Sequence, residues 1–141
     1  MKNEIRKRKS GIPTGHAGEY LVMGELLRRG FDAQLADRNT KGYDLLAGSP
    51  GKMHLRKVQV KTVRSQPWYV RIKDFQDKRL LGRITVYVLL GREDGGKPVR
   101  FFIVKNRKLV DHVSKVKNWR SNAFMNIKWL KRYEGKWNSL R

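Results

Sequence analysis

Four side chains in the first half of the chain have the types and spacing suited to hydrolysing a phosphodiester bond. Asp44 follows a glycine and a tyrosine, and Gln59 and Lys61 flank a single valine in the segment VQVKT. An aspartate on one strand and a polar-x-Lys segment on the next commonly form a metal-dependent phosphodiesterase site. There a cation offsets negative charge and a positioned water attacks. Glu19, which precedes them in the chain, is the candidate that completes the group.

A helix and two strands must hold these side chains. The apolar spacing predicts a helix from Thr14 or His16 to about Arg29, with Thr14 as its N-cap. Gly24, in the middle of this helix, is interpreted as a place where a strand approaches closely. Strands are predicted at residues 31–35, 43–47, 55–63, 68–72, 84–90 and 99–104. On the third strand, one face carries Val58, Val60 and Thr62, and the opposite face carries Gln59, Lys61 and Val63.

The remaining pattern predicts one domain preceded by a basic arm. Residues 1–13 are rich in Lys and Arg and lack periodicity, so they are predicted to be a flexible arm, and residues 14–141 a single domain. The part from about 105 to 141 is basic, with short helices predicted at 106–118 and 126–133. Its residues Trp119, Trp129 and Trp137 are interpreted as core residues, with stacking on unpaired bases as the alternative. A helix, a run of strands and further helices indicate an α/β fold with a mixed sheet, or α+β.

The segments HAGEYLVMGELLRRGF, GYDLLA and VQVKT, in that order, resemble the PD-(D/E)xK or restriction-endonuclease-like nuclease superfamily. Their spacing is most similar to Holliday-junction-resolvase-like and small homing or restriction-type members. The resemblance covers about residues 14–64 and implies a restriction-endonuclease-like core, in which helices flank a mixed sheet. Tyr43 stands where the motif has Pro, and Gln59 stands where it has Glu. Some active members of the superfamily are similar in carrying Gln at that position.

The chemistry of oxygen ligands then suggests a role for each residue. Asp44 is the expected direct ligand of Mg²⁺ or Mn²⁺, and Gln59 offers an amide oxygen beside the backbone carbonyl of Val60. Glu19 is expected to bind the metal through water or to orient the site. Lys61 is expected to position or deprotonate the attacking water and to stabilise developing negative charge. Because Gln lacks the charge of Glu, metal binding is expected to be weaker unless a DNA phosphate supplies another ligand.

The charge balance indicates a polyanionic partner. The 141-residue chain has 33 Lys and Arg against 12 Asp and Glu, a net charge of +21. DNA, duplex or branched, is the expected partner, because phosphates neutralise such a charge. A membrane is not expected, since no apolar run approaches the roughly 18–20 residues of a span. The lack of cysteine and of a secretory signal fits a cytoplasmic or nucleoid-associated protein. The residues expected to contact DNA are Lys41, Arg56, Lys57, Arg64, Arg71 and Lys73.

The function expected from these observations is a Mg²⁺-dependent DNA endonuclease, junction-resolving or restriction/homing-like. One alternative is a nuclease-fold protein that binds DNA without cutting it. Another is a small basic RNA-binding protein, in which the order of the four residues would be a coincidence. Cutting two strands is easiest with two sites, so a homodimer is predicted, with Phe101, Phe102 and Trp129 as candidate interface residues.

Overall fold

The computed structural model describes residues 12–37, 39, 42–116, 118–119 and 121–141. Most of the predicted arm and Lys41 therefore lie outside the described residues. The helices are α1 (Ile12–Arg28), α2 (Val110–Lys115) and α3 (Ile127–Leu130), with short 3-10 turns between elements. The strands are β1 (Asp32–Leu35), β2 (Leu45–Gly48), β3 (Arg56–Val63), β4 (Trp68–Arg71), β5 (Ile84–Leu89), β6 (Arg100–Lys105), β7 (Asn118–Trp119) and β8 (Asn122–Met125).

Helix α1 begins earlier than the sequence pattern predicts. It starts at Ile12, so Pro13 lies in its first turn and Thr14 is inside the helix rather than its N-cap. Proline suits this position because its missing N–H would have no helical partner there and its φ is already helical. At the other end Gly30 adopts a φ of +86°, a conformation that glycine accepts without strain, and the helix stops as predicted.

A five-stranded mixed sheet forms the centre of the molecule. The strand order is β1-β2-β3-β5-β6, in which β3 and β5 are parallel and the other neighbours antiparallel. The apolar strand β5 lies inside the sheet and is buried along most of its length, as predicted. Helices pack beside this sheet, so the predicted α/β fold with a mixed sheet is confirmed.

A second sheet, in the order β4-β8-β7, differs from the predicted helical C-terminal part. The two predicted helices are present in shorter form. The segment 106–118 is a 3-10 turn (Asn106–Leu109) followed by α2, and the segment 126–133 is α3 followed by a 3-10 turn (Lys131–Tyr133). Strand β8 pairs Ala123 with Val70 and Met125 with Trp68. Its buried residues alternate with half-buried ones, so pairing with a distant strand overrides local preference.

The two faces of the large sheet carry separate hydrophobic cores. On one face, Val22 and Leu26 of α1 pack against Val58 and Val60 of β3, together with Trp137 and neighbouring residues. On the other face, the small sheet and α2 pack against residues of β5 and β6 such as Tyr87 and Phe102. The faces predicted for β3 are therefore confirmed. Within the described ranges, no helix has both the length and the apolar composition needed to cross a bilayer.

Candidate active site

Gly18 determines how closely helix α1 approaches strand β3. A Cβ atom at Gly18 would lie 1.8 Å from Oγ1 of Thr62 and 2.8 Å from its Cβ. Only a hydrogen fits in that space, so the helix rests directly on the strand. The sequence-based choice of Gly24 for this contact is wrong, because a Cβ there would meet nothing within 4 Å. Glu19, the next residue after Gly18, is carried to the edge of β3 by this contact.

Asp44 is held against β3 by three hydrogen bonds. Its backbone N–H donates to the Val58 carbonyl at 2.8 Å. Its Oδ2 accepts from the Val60 N–H at 2.8 Å and from Nε2 of Gln59 at 2.9 Å. Backbone donors in a strand are fixed, so the carboxylate has one defined orientation. We call Glu19, Asp44, Gln59 and Lys61 the Asp44 cluster.

Lys61 lies on the same face of β3 as Gln59. Its charge lowers the pKa of Asp44, which places the ammonium group within electrostatic reach of the carboxylate. The backbone at this point is held from behind by Trp68, whose indole N–H donates to the Lys61 carbonyl at 3.1 Å and the Val88 carbonyl at 3.3 Å. Trp68 is only 1% exposed, so Lys61 projects from a rigid part of the strand.

Both carboxylates of the cluster resist ionisation. Burial raises the pKa of Glu19, the negative charge of Asp44 raises it further, and His16 partly offsets both. Burial also raises the pKa of Asp44, against the lowering effects of the Val60 N–H and Lys61. Two partly desolvated carboxylates that repel each other form a local excess of negative potential in a strongly basic protein. A cation bound between them would relieve both effects.

The donor atoms of the cluster fit a hard divalent cation. They are carboxylate and amide oxygens, the ligands that Mg²⁺ and Mn²⁺ accept. Oδ1 of Asp44 takes no part in the hydrogen bonds that fix Oδ2. Among the described residues, no group of three or more His, Cys, Asp or Glu side chains could hold a metal. The protein's ligands would therefore be two carboxylates at most, with neutral oxygens from Gln59 and the Val60 backbone.

The loop that carries Asp44 is tied to the start of β5. Arg83 donates a hydrogen bond to the Gly42 carbonyl, and its guanidinium lies 5.8 Å from the centre of the Tyr43 ring. Lys57 approaches the same ring at 5.1 Å. Gly42 has a φ of +90°, and a Cβ there would lie 2.9 Å from the Arg83 guanidinium. The positive φ favours glycine at position 42, whereas the end of the flexible Arg83 side chain could shift to admit a Cβ.

A small pocket of about 60 Å³ opens beside Gln59 and Lys61. Its walls include Arg71 and Asp74, which form an ion pair at 3.1 Å, and Arg83. The pocket provides space next to the Lys61 ammonium group, with cationic groups on its wall.

The residues predicted to contact DNA are distributed unevenly around the cluster. Lys57 shares the face of Gln59 and Lys61, and Arg71 lines their pocket. Arg56 lies on the opposite face at the exposed start of β3, and Lys73 is exposed. Arg64 lies beyond the far end of β3, where its guanidinium donates to the Gly91 carbonyl at 3.1 Å. The structure therefore brings Lys57 and Arg71 near the cluster and leaves Arg56 and Arg64 at the ends of the strand.

The remaining candidates from the sequence are one glutamate of helix α1 and four aromatic residues. Glu25, a sequence rival of Glu19, forms ion pairs with Arg28 at 2.5 Å and Arg29 at 2.9 Å. Phe102 is fully buried, so its suggested place in a dimer interface is wrong. Phe101 packs on Trp137, which is a core residue as interpreted from the sequence. Trp129, in contrast, is 45% exposed and does not fit the core interpretation.

Sequence reasoning missed Gly18, Trp68 and Arg83 as residues that position the cluster. Gly18 directly precedes Glu19, and glycine inside a predicted helix is a signal that could have identified it. Trp68 and Arg83 act through contacts between segments that are distant in the sequence, which no local pattern reveals.

Comparison with known proteins gives structural neighbours only. The chain matches no protein-family model and no curated protein sequence. Its fold is similar to Hjc of Archaeoglobus fulgidus, a Holliday junction resolvase from an archaeal hyperthermophile, with a TM-score of 0.53 and 17% identity over 84% of this chain and 88% of that chain. It is also similar to the bacterial homing endonuclease I-Ssp6803I, with a TM-score of 0.55 and 17% identity over 94% of this chain and 91% of that chain.

Proposed function

The chain has the restriction-endonuclease-like fold of these two nucleases, and from that premise we propose that it is a metal-dependent DNA endonuclease. The observation that carries the proposal is the Asp44 cluster. Helix α1 and strands β2 and β3 bring two carboxyl groups with raised pKa values to the same strand edge as an amide and an ammonium group. Perturbed carboxyl groups beside a lysine favour a chemical role over a purely structural one.

Each side chain of the Asp44 cluster would have a role that follows from its chemistry. A divalent cation at the cluster would offset charge on the scissile phosphate and lower the pKa of a bound water. Asp44, fixed through Oδ2, would hold the cation with Oδ1, and Glu19 would orient a water on the helix side. The Gln59 amide and the Val60 carbonyl would complete the protein's oxygen ligands. Lys61 would position the attacking water and stabilise negative charge at the phosphate.

DNA is the proposed substrate because of the charges that surround the cluster. Lys57 and Arg71 are exposed cations beside it, and the chain carries a net charge of +21. Phosphate contacts of this kind position a nucleic acid without reading its sequence. The proposal extends to duplex or branched DNA, and to a homodimer that presents two sites to two strands, which light scattering of the protein bound to duplex DNA would test.

A cleavage assay tests the proposal. Supercoiled plasmid, a four-way junction, single-stranded DNA and structured RNA are incubated with the protein and Mg²⁺, Mn²⁺ or a chelator. We expect cleavage of at least one DNA substrate that requires the divalent ion and is lost in Asp44→Ala. Met53→Ala serves as the matched control, since this side chain is 92% exposed on a turn away from the cluster. Equal cleavage by Asp44→Ala, or cleavage of RNA alone, would contradict the proposal.

A second candidate is a nuclease-fold DNA-binding protein without catalysis. It is favoured by Gln59, whose amide donates to Asp44 at 2.9 Å and occupies an acceptor that a glutamate would leave for a cation. This candidate predicts the same DNA affinity but no cleavage of any substrate by the wild-type protein. It also predicts that DNA binding survives Asp44→Ala and Lys61→Ala, which a binding assay in chelator measures directly.

A further inference from the structure

Trp129 is an exposed aromatic residue in a strongly basic setting. It lies in α3, where 45% of the residue is exposed, whereas Trp68 and Trp137 are buried in the two cores. One side of its ring packs against the His112 imidazole, with the ring centres 4.2 Å apart and the planes inclined by 33°. Exposure alone does not single out Trp129, since Tyr20 and Tyr69 are also exposed; its pocket and the cations around it do.

The ring forms part of the wall of a cavity of about 330 Å³. This cavity, the Trp129 pocket, lies between the segment from Lys108 to His112 and the segment from Lys128 to Tyr133. Its cations are Lys108, Lys128 and Arg132, none of which pairs with another described residue. A volume of this size is within the range of small-ligand sites. Asp111 also lines the pocket, so the three cations outnumber one carboxylate in its described lining. An aromatic face beside an excess of cations matches a base together with its flanking phosphates.

The platform beneath the pocket is rigid. His112 is 3% exposed, and its Nε2–H donates to the Phe124 carbonyl of β8 at 3.1 Å. The Trp129 backbone N–H donates to the Asn126 carbonyl at 3.1 Å. The His112 ring on which Trp129 packs is therefore anchored, and this contact reduces the conformational entropy that would be lost when a base stacks on Trp129.

The pocket adjoins the Asp44 cluster through one short turn. Asn106, the first residue of the 3-10 turn Asn106–Leu109, lines the small pocket that contains Gln59 and Lys61. Lys108 and Leu109, at the other end of this turn, line the Trp129 pocket. A 3-10 turn rises about 2 Å per residue, so the two pockets lie on neighbouring sides of one structural element. Residues of one short turn therefore line both pockets.

We propose that the Trp129 pocket is a second DNA contact that stacks an unpaired base on Trp129, with Lys108, Lys128 and Arg132 on the adjacent phosphates. The inference rests on the proposed nuclease function and narrows its substrate to DNA in which a duplex adjoins an unpaired segment. Stacking tolerates any base, because every base offers a π face, so the contact recognises unpaired structure rather than sequence.

Binding of three DNA molecules to the full-length protein in chelator tests this contact. The first is a continuous duplex, the second carries an unpaired thymine segment, and the third carries abasic sites in place of those thymines. All are measured by fluorescence anisotropy at one salt concentration. We expect the thymine segment to bind more tightly than the abasic one by at least about 5-fold, the lower end of the range for a stacked base. Trp129→Ala should abolish this preference, and Trp129→Phe should retain most of it.

Matched variants distinguish a loss of base stacking from a general loss of stability or of DNA binding. Met53→Ala removes an exposed apolar side chain elsewhere and should leave the preference unchanged. Lys108→Ala and Arg132→Ala should weaken binding of the thymine and abasic segments alike and reduce the salt dependence. These two exposed positions keep the proposal testable if Trp129→Ala lowers the melting temperature.

Four results would overturn the proposal. The first is equal affinity of the wild-type protein for the thymine and abasic segments, and the second is a preference for thymine that survives Trp129→Ala. The third is tighter binding of an RNA with the same unpaired segment. The fourth is a Trp129→Ala protein whose oligomeric mass differs from that of the wild-type protein while its preference for thymine is unchanged. The last would identify the surface as a contact between copies of this chain. The assay needs no cleavage, so a failure of the proposed nuclease activity would be seen separately in the plasmid and junction assays.

Discussion

The Asp44 cluster takes two side chains from β3 and a third, Asp44, from the residue directly before β2, whereas the Trp129 pocket joins two segments that belong to different elements. The cluster consists of half-buried groups, and hydrogen bonds to β3 fix the Asp44 carboxylate among them. The pocket has three exposed cations and Asp111 around a wall that includes the rings of His112, Trp129 and Tyr133. Chemistry on a phosphate requires fixed geometry, while contact with a flexible strand requires only charge and an exposed ring face. The difference separates a candidate reaction centre from a candidate binding surface.

The largest expected effect comes from Lys61. Lys61→Ala removes the ammonium group that faces Asp44, and we expect cleavage to fall by about 10²- to 10⁴-fold with little change in DNA affinity. Lys57→Ala is the matched control on the same face of β3. It should weaken DNA binding without abolishing cleavage. The slope of the logarithm of the binding constant against the logarithm of the salt concentration should fall in magnitude by about one. If both variants lose cleavage to the same extent, Lys61 has no special role and the cluster acts only as a binding surface.

The second effect concerns the contact that brings Glu19 to the cluster. Gly18→Ala places a Cβ against Thr62, and turning the hydroxyl does not help, because Cβ and Cγ2 of Thr62 would also lie within 2.9 Å. Helix α1 must then move away from β3, which we expect to cost about 1–3 kcal/mol of unfolding free energy. Gly24→Ala, in open space on the same helix, should stabilise the protein by about 0.5–1 kcal/mol. Urea unfolding of both variants measures the difference, and equal stabilities would show that the close contact is absent.

The third effect comes from a substitution that changes the charge of the cluster. Gln59→Glu removes the amide that donates to Asp44 and adds a third carboxylate, so without metal the protein should be less stable. With Mg²⁺ or Mn²⁺ the added charge should raise metal affinity by about tenfold, or 1.4 kcal/mol. Titration calorimetry and melting curves in chelator and in metal report the two changes. Gln34→Glu on the exposed strand β1 is the control and should alter neither.

Much of the central fold could be predicted from sequence because its signals are local. Alternation along β3 correctly separates Val58 and Val60 from Gln59 and Lys61, and the apolar run of β5 correctly indicates a buried strand. The order of helix, aspartate and polar-x-Lys also predicts which residues meet at the cluster. These features require only the strand period and the register of one hairpin.

What could not be predicted depends on contacts between distant segments. Strand β8 exists because β4 pairs with it, and its short sequence NAFM has no strong strand preference of its own. The exposure of Trp129 depends on where α3 ends and on His112, which lies in another helix. Arg83 reaches Gly42 from a position far along the chain. None of these partners follows from the composition of either segment alone.

The smallest expected effect concerns the support beneath Trp129. In the neutral state, the Nε2–H of His112 donates to the Phe124 carbonyl, and Nδ1 is buried without a partner among the described residues. Burial lowers the pKa of His112, against the opposing effect of the Phe124 carbonyl, because a proton on Nδ1 would be desolvated. Among the charged groups that line the pocket, Lys108, Lys128 and Arg132 would repel an imidazolium, and Asp111 would attract it. Burial is the largest cause of the lowered pKa. The folded state therefore favours the neutral imidazole.

The sign of the pH dependence follows from this lowered pKa. Above the pKa of an unfolded histidine, about 6.5, both states are neutral and the folded state keeps its full stability. As the pH falls below that value, the unfolded chain binds the proton first, and the free energy of unfolding decreases until the pH passes the folded pKa. The loss is at most about 1.4 kcal/mol for each unit of difference. Urea unfolding near pH 7.5 and near pH 5 measures it.

Two histidine variants isolate the contribution of His112 to this pH dependence. His112→Gln keeps a donor for the Phe124 carbonyl and cannot titrate, so its stability should fall less between the two pH values than that of the wild-type protein. His54→Gln, which changes an exposed histidine and keeps His112, should retain the wild-type fall. An identical fall in His112→Gln and the wild-type protein would mean that carboxylates elsewhere cause it. The Trp129 platform would then not depend on a neutral imidazole, and base stacking on it should persist unchanged at the lower pH.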